Sequence, residues 1–176
     1  MKSPLEQSLA ALIREVPDFP KCGVTFKDIT PVLADPAALS LAVELMANPW
    51  RSAGVDRVVG AESRGFIFGT AIAQALSCGF VPVRKPGKLP RPTISVGYEL
   101  EYGKNELHMH EDALNPGARV LMVDDVLATG GTMKACIELV RRAKATPLAA
   151  VFFIEIEALC GRALLAPVEV SSVLRF

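Results

Sequence analysis

The run Val120-Leu121-Met122-Val123-Asp124-Asp125-Val126-Leu127-Ala128-Thr129-Gly130-Gly131-Thr132 constrains the fold more than any other stretch of the chain. Four apolar residues in succession read as a strand covered on both faces, and such strands belong to parallel sheets protected by helices. Two acids then stop the strand, a small glycine-bearing turn follows, and Met133, Cys136, Ile137 and Val140 recur at helical spacing. A strand, loop and helix in this order bring the unpaired amides of the helix's first turn to the loop, where the helix dipole also favours an anion. Gly130 and Gly131 allow close backbone approach, and Ala128, Thr129 and Thr132 complete a turn with two hydroxyl donors. Asp124 and Asp125 sit beside it and offer acceptors to sugar hydroxyls. A phosphate on one side and hydroxyl acceptors on the other describe a holder for ribose 5-phosphate.

A buried strand ending in Asp-Asp also suits a Walker B segment or the acidic pocket of a phospho-receiver domain, both of which use the acids for magnesium. The Walker A partner, G-x-x-x-x-G-K-[ST], occurs nowhere in the chain. A plain structural reading, in which Gly130-Gly131 is a tight turn and the acids cap the helix, is the bland alternative.

At 176 residues the chain has the length of one domain, spanning 1–176. Lys plus Arg and Asp plus Glu balance at 19 each, so no global field gathers nucleic acid or an anionic membrane. No apolar run reaches the roughly 18 residues of a membrane span, and the N-terminus lacks a signal-peptide core. Cys22, Cys78, Cys136 and Cys160 form no C-x-x-C pair, which argues against zinc and for a reduced, cytoplasmic setting.

Along the chain, Leu5, Leu9, Leu12 and Ile13 predict a helix that Pro17 ends. Residues 17–31 carry three prolines, Pro17, Pro20 and Pro31, together with large apolar side chains, and read as a packed irregular connector. Such a backbone, held by Phe19 and Phe26, can offer N–H and C=O groups to a flat heteroaromatic ligand. Asp35-Pro36 is an N-cap signal for a helix through Leu39, Val43, Met46 and Trp50. Asp56–Gly60 reads as a strand running into Glu62, Ser63 and Arg64 and then a helix with Phe68, Ile72, Ala75 and Leu76. Phe80–Val83 is a strand whose Pro82 suggests irregular pairing. The basic run Arg84–Pro92, with Lys85 and Lys88, follows that strand and can close over a pyrophosphate. Thr93 to Met109 suggests a two-stranded excursion with turn signals at Gly97 and Gly103 and with Glu101 and Tyr102 at its tip. His108 and His110 read as surface residues. Leu148–Ile154 is a buried strand, Glu157–Leu165 a helix and Val168–Leu174 an edge strand. Alternating strands and helices predict an α/β fold with a central, mostly parallel sheet flanked by helices and a small β-hairpin hood.

Three segments, 62–65, 84–91 and 124–132, each follow a predicted strand and so converge on one sheet edge. In order, P-D-F-P, G-V-x-F-K-D-I-T-P, E-S-R-G-F-x-F-G, R-K-x-G-K-L-P, L-E-Y-G-K and V-D-D-x-L-A-T-G-G-T resemble the adenine phosphoribosyltransferase branch of the type I phosphoribosyltransferase family from about Pro17 to the last strand. The resemblance implies a type I phosphoribosyltransferase fold and a purine salvage transferase that turns adenine and phosphoribosyl diphosphate (PRPP) into AMP and pyrophosphate. It also implies Mg2+ carried by PRPP and waters rather than by protein ligands, and a homodimer.

Residue by residue, the likeness assigns Ala128, Thr129, Gly130, Gly131 and Thr132 to the 5′-phosphate, and Asp124 and Asp125 to the two ribose hydroxyls in either order. It assigns Glu62, Ser63 and Arg64, helped by Lys85 and Lys88, to the pyrophosphate, with a non-prolyl cis peptide between Glu62 and Ser63. Val24, Thr25, Phe26 and Lys27 would receive adenine through backbone groups. Thr25 and Cys22 depart from the apolar residue and the proline common at those places. Glu101 would handle the purine proton on a flexible catalytic loop of about 84–107, and Tyr102 would shield the site. A 6-oxopurine transferase, a PRPP-sensing regulator and a nucleotide-binding module without turnover are the competing readings.

Overall fold

The computed structural model describes residues 3–99 and 104–176. In chain order its elements begin with helix α1 (Pro4–Ala10), strands β1 (Arg14–Val16) and β2 (Phe26–Asp28), and helices α2 (Thr30–Ala34) and α3 (Pro36–Ala47). Strand β3 (Arg57–Ala61), helix α4 (Gly65–Ala75) and strands β4 (Gly79–Val83), β5 (Thr93–Glu99), β6 (Lys104–His110) and β7 (Arg119–Leu127) follow. Helix α5 (Gly131–Arg142), strand β8 (Thr146–Glu155), the short helix α6 (Gly161–Leu164) and strand β9 (Glu169–Arg175) complete the series.

Five strands form a parallel sheet in the order β4-β3-β7-β8-β9. Both faces are dry, which is why β7 and β8 are continuous apolar runs rather than alternating ones. Val120 and Met122 of β7 join Val59, Val81, Phe152 and the inner side of α5 on one face. Leu121 and Val123 join Val151, Phe153 and the helices α1, α3 and α4 on the other. There the Phe68 and Phe153 rings stack with centroids 5.3 Å apart. Each such large side chain removed from water contributes roughly 1.5–3 kcal/mol. Strands β5 and β6 pair antiparallel from Thr93↔His110 to Glu99↔Lys104, the predicted hood.

Chain order and sheet order disagree at one place that matters. From β3 the chain steps outward through α4 to β4, and after the β5–β6 hairpin it returns to the other side of β3 as β7. The strand order therefore reverses between β3 and β7, and in open α/β sheets a crevice forms outside the C-terminal ends at that switch point.

Several local expectations are corrected. The first helix ends at Ala10, capped at its start by a capping box between Ser3 and Glu6, because residues 14–16 pair with residues 26–28 instead of continuing it. The connector likewise contains β2 and passes into α2. Asp35 caps α3 as expected, accepting from the Ala37 and Ala38 amides at 2.9 and 2.8 Å, but the helix stops at Ala47 and a 3-10 turn carries Trp50. Pro82 does not disturb pairing: β4 is the edge strand, and Gly60↔Pro82 lies in an unbroken register. Gly97 lies within β5 rather than at a turn. Neither His108 nor His110 is a simple surface residue, since both are half-buried and the His108 ring meets the Thr93 hydroxyl at 2.9 Å. Residues 157–165 form no single helix, because Cys160 takes a left-handed conformation (φ 52°) between a 3-10 turn and α6.

Helix α4 approaches the sheet over the Phe80 ring, which is flanked edge-on by Phe66 at 5.5 Å. A Cβ at position 69 would stand 2.6 Å from Phe80 Cε2, and one at position 60 would stand 2.9 Å from the same atom. Gly69→Ala is expected to destabilise the fold by about 1–3 kcal/mol in urea unfolding, and Phe80→Leu in the same chain should recover part of that loss. Additive losses would show that the ring is not what glycine accommodates.

Candidate functional site

The crevice has a simple origin. Pairing of β7 with β3 ends at Gly60↔Val123, whereas pairing with β8 runs on to Leu127↔Glu155. The acids therefore do not stop the strand, as the sequence suggested; Asp124 and Asp125 lie inside β7, on the stretch that has outrun its β3 neighbour. On the side β3 has left, residues 62–64 turn away and a cleft of about 480 Å³ opens. Residues 24–27, 62–64, Asp124, Asp125, Ala128 and Thr132 line it, together with Val126, Ile156 and Leu159.

The two acids have different surroundings. Asp125 is 5% exposed, and its Oδ2 accepts from Arg64 Nε. The Arg64 guanidinium lies 5.2 Å above the Phe26 ring, so this one arginine joins the acid pair to the 24–27 segment. Asp124 turns its Oδ1 to the Asp125 amide at 2.9 Å. A Cβ at Gly65 would stand 2.8 Å from that oxygen and 3.1 Å from the Val123 carbonyl, so α4 begins with glycine because the carboxylate occupies the space. Burial, reinforced by the neighbouring Asp125 carboxylate, pushes the Asp124 pKa well above the usual carboxylate range.

Residues 62–64 are pinned from outside the cleft. The Glu62 amide donates to the Val83 carbonyl at 2.9 Å, and Glu62 Oε2 accepts from Arg84 Nε at 2.6 Å. The Glu62–Ser63 peptide is cis, as the resemblance implied.

The turn from 128 to 132 borders a smaller hollow of about 80 Å³ that Asp124 and Phe152 also line. Gly130 holds φ +87°, a conformation that favours glycine, and α5 starts immediately after it. The first-turn amides of this 12-residue helix thus border the hollow. Tyr98 of β5 lies across the turn: its ring would be 3.4 Å from a Cβ at Gly131, and its hydroxyl is 3.4 Å from Thr132 Oγ1.

Of the positions singled out by sequence, 24–27, 62–64, 124, 125, 128 and 132 meet in the main cleft, and 129–131 border the adjoining hollow. Lys85 and Lys88 do not line that cleft. Lys85 borders a separate hollow of about 370 Å³ with Gly97 and Glu106, and the Lys88 carbonyl accepts from Arg84 Nη1 at 3.2 Å. Glu101 and Tyr102 lie outside the described residues. Sequence reasoning missed Val126, Ile156, Leu159 and Tyr98. For Ile156 and Leu159 a signal existed, because they follow the C-terminal end of a predicted strand, as every other cleft segment but the first does.

Residues 29–162 match the family model described as the phosphoribosyl transferase domain. The chain is 50% identical over 167 residues to an adenine phosphoribosyltransferase of Halothermothrix orenii, covering 95% of this chain and 98% of that one. Its structure resembles that of adenine phosphoribosyltransferase from Thermoanaerobacter pseudethanolicus with TM-score 0.95 and 45% identity, over 97% and 99% of the two chains. It also resembles the Saccharomyces cerevisiae adenine phosphoribosyltransferase complexed with an imino-altritol bisphosphate and adenine, with TM-score 0.91 and 36% identity over 96% and 98% of the chains. The five-stranded parallel sheet, the cleft at its switch point and the extent of these likenesses agree, and the chain belongs to the adenine phosphoribosyltransferase branch of the phosphoribosyltransferase family.

Proposed function

We propose a residue-level account of the transfer of a phosphoribosyl group from PRPP to adenine, with the whole chain, 1–176, acting as one domain. The observation that carries it is the meeting, in one cleft, of the 24–27 segment, the 62–64 turn, the acid pair and the edge of the 128–132 turn. Those four groups match the base, the diphosphate, the ribose and the 5′-phosphate of the reactants. The 5′-phosphate sits on the 128–132 turn at the start of α5, and Asp124 and Asp125 accept from the ribose hydroxyls. Arg64 is then within reach of the departing diphosphate, with Ser63 and Glu62 of the same turn and with Lys85 and Lys88 brought in by the 84–107 segment.

Adenine lies along residues 24–27, with Phe26 on one side and Ile156 and Leu159 offering apolar surface. Val24 donates its N–H to the Lys21 carbonyl and accepts from Phe19 at its own carbonyl, and residues 26–28 pair with β1, so the backbone offered to the aminopurine centres on Thr25, between the two. The yeast relative, complexed with adenine, supports the base assignment. The relatives at about half identity carry the adenine name, and nothing in the cleft favours an oxopurine transferase or a regulator.

The bond from C1 to the diphosphate breaks ahead of bond formation, the electron pair leaving with the diphosphate, and the ribose takes on oxocarbenium character. The chain's own work is positional and electrostatic. It holds the sugar by hydroxyls and phosphate, supplies Arg64 to the leaving group, and keeps N9 of the base in line with C1. Among the described residues no group of three or more His, Cys, Asp or Glu is placed to hold a metal ion. Mg2+ carried by PRPP and waters would neutralise charge on the leaving group when bound, and Asp124 and Asp125 are the adjacent cleft carboxylates that would meet its water shell. Glu101 takes the N9 proton of adenine, and Tyr102 covers the reacting centre. We also read the chain as a cytoplasmic homodimer. Exposed Val16, Phe19 and Ile67 offer apolar surface to a second copy, and the exposed thiols of Cys22 and Cys160 suit a reducing compartment.

With radiolabelled adenine, PRPP and Mg2+, labelled AMP is the expected product; IMP or XMP from the corresponding oxopurines, with no AMP, would reverse the base assignment. The raised pKa of Asp124 gives a second test. Between the ordinary carboxylate value and the raised one, the folded chain keeps a proton that the unfolded chain has lost, so stability falls as pH rises through that window. Asp124→Asn should therefore raise the melting temperature near neutral pH, with the gain vanishing toward about pH 4. The same variant should bind PRPP at least about tenfold more weakly by calorimetry, and full PRPP affinity would remove the ribose role. Glu101→Gln should lower kcat by about 10²-fold or more with little change in PRPP affinity, and wild-type turnover would reject it as the proton acceptor.

A further inference from the structure

Part of the wall behind the phosphate turn is made of backbone rather than side chains. Gly161, the first residue of α6, packs its backbone directly against the 128–132 turn. A Cβ at position 161 would overlap the Ala128 carbonyl oxygen and stand 3.0 Å from the Gly130 amide nitrogen; in return, a Cβ at Gly130 would stand 2.8 Å from the Gly161 carbonyl oxygen. The φ of Gly161 is not in the left-handed region, whereas that of Cys160 before it is. Close approach, not backbone conformation, is what calls for glycine at 161.

The next residue anchors this contact. Arg162 donates from Nε and Nη2 to Glu155 Oε1 and Oε2 at 2.9 and 2.6 Å, and from Nη1 to the Val170 carbonyl at 2.6 Å. Ser172 Oγ adds a contact to Arg162 Nη2 at 3.2 Å and donates to the same carboxylate. Glu155 is 5% exposed and is the last residue of β8, paired with Leu127 at the end of β7. The Ile156 amide also donates to the Leu127 carbonyl at 2.9 Å. A bidentate, partly buried arginine fork is geometrically demanding, which suits an anchor. The anchored Arg162 thus holds Gly161 at a fixed distance from the turn.

We propose that Gly161, held by the Arg162–Glu155 pair, is a positioning residue for the 5′-phosphate: it is the backstop that keeps the amides of residues 128–132 aimed at the anion. The proposal rests on the reading of that turn as the phosphate holder. Misplacing binding groups by about 1 Å can cost on the order of 10²-fold in rate, and a methyl group at 161 forces a shift of that size. The contact touches neither the base segment at 24–27 nor the 62–64 turn, and of the adenine side only Ile156 and Leu159 share its segment, so the larger effect falls on the phosphate end of the substrate.

In the full-length enzyme, Gly161→Ala is expected to lower kcat/KM for PRPP by on the order of 10²-fold and AMP affinity by at least about tenfold, with KM for adenine at saturating PRPP changed several-fold less than AMP affinity. Arg162→Lys, which keeps the charge and loses the fork, should shift the same quantities in the same direction and by less. It decides the matter if Gly161→Ala does not fold. Unchanged PRPP kinetics and AMP affinity in whichever variant is read, or equal losses for adenine and AMP, would overturn the proposal. The double variant Thr129→Val, Thr132→Val separates this from the underlying assignment. If that pair keeps wild-type AMP affinity, the phosphate reading falls and the backstop with it; if the pair is weakened and Gly161→Ala is not, the backstop alone falls.

Discussion

The site depends on one mismatch in strand length. Strand β7 continues past the point where β3 leaves the sheet, while β8 accompanies it to the end. A strand with both neighbours present would bury its polar termini or lack them; one that loses a single neighbour exposes an edge while remaining firmly held from the other side. Asp124 and Asp125 occupy that edge, and the turn at 62–64 occupies the space from which β3 has withdrawn. The reversal of strand order supplies the crevice, and unequal pairing supplies its chemical lining.

The cost of placing two carboxylates there is visible in their surroundings. Asp125 is partnered by Arg64, reached from α4's leading turn, whereas Asp124 accepts from the Asp125 amide, and burial and its neighbour's charge raise its pKa. The chain tolerates this locally because Gly65 leaves room for the carboxylate and because both sheet faces are covered by dry cores that stabilise the fold elsewhere. A buried carboxylate with its pKa raised in this way, at Asp124, is consistent with a site built to receive hydroxyl donors rather than to be satisfied without them.

Glycines serve the cleft in two distinct ways. Gly130 is required by a left-handed turn, a local demand that the neighbouring residues announce. Gly65, Gly69 and Gly161 are required by what comes near them: a carboxylate, an aromatic ring and a second backbone. The second kind cannot be recognised without knowing the partner, and this is the reason the 157–165 segment, read from its composition as one helix, is broken at Cys160 and turned toward the phosphate loop.

What the sequence by itself determined is therefore what short-range chemistry encodes. The apolar run 120–123, the glycine turn and the helical spacing after it specified a strand, loop and helix, and with them the start of α5 and the acid pair. The motifs of the resemblance located residues 24–27 and 62–64, including the cis peptide at Glu62–Ser63. Tertiary structure alone decided that the acids lie within β7 and not beyond it, because the pairing that extends the strand comes from β8, more than twenty residues away in sequence. It decided that Arg64 reaches Asp125 across 61 positions, that Ile156 and Leu159 join the cleft, and that Gly161 stands against Gly130. Each of these is a contact between segments whose local preferences carry no record of one another, so only the packing of the sheet and its connections could bring them together.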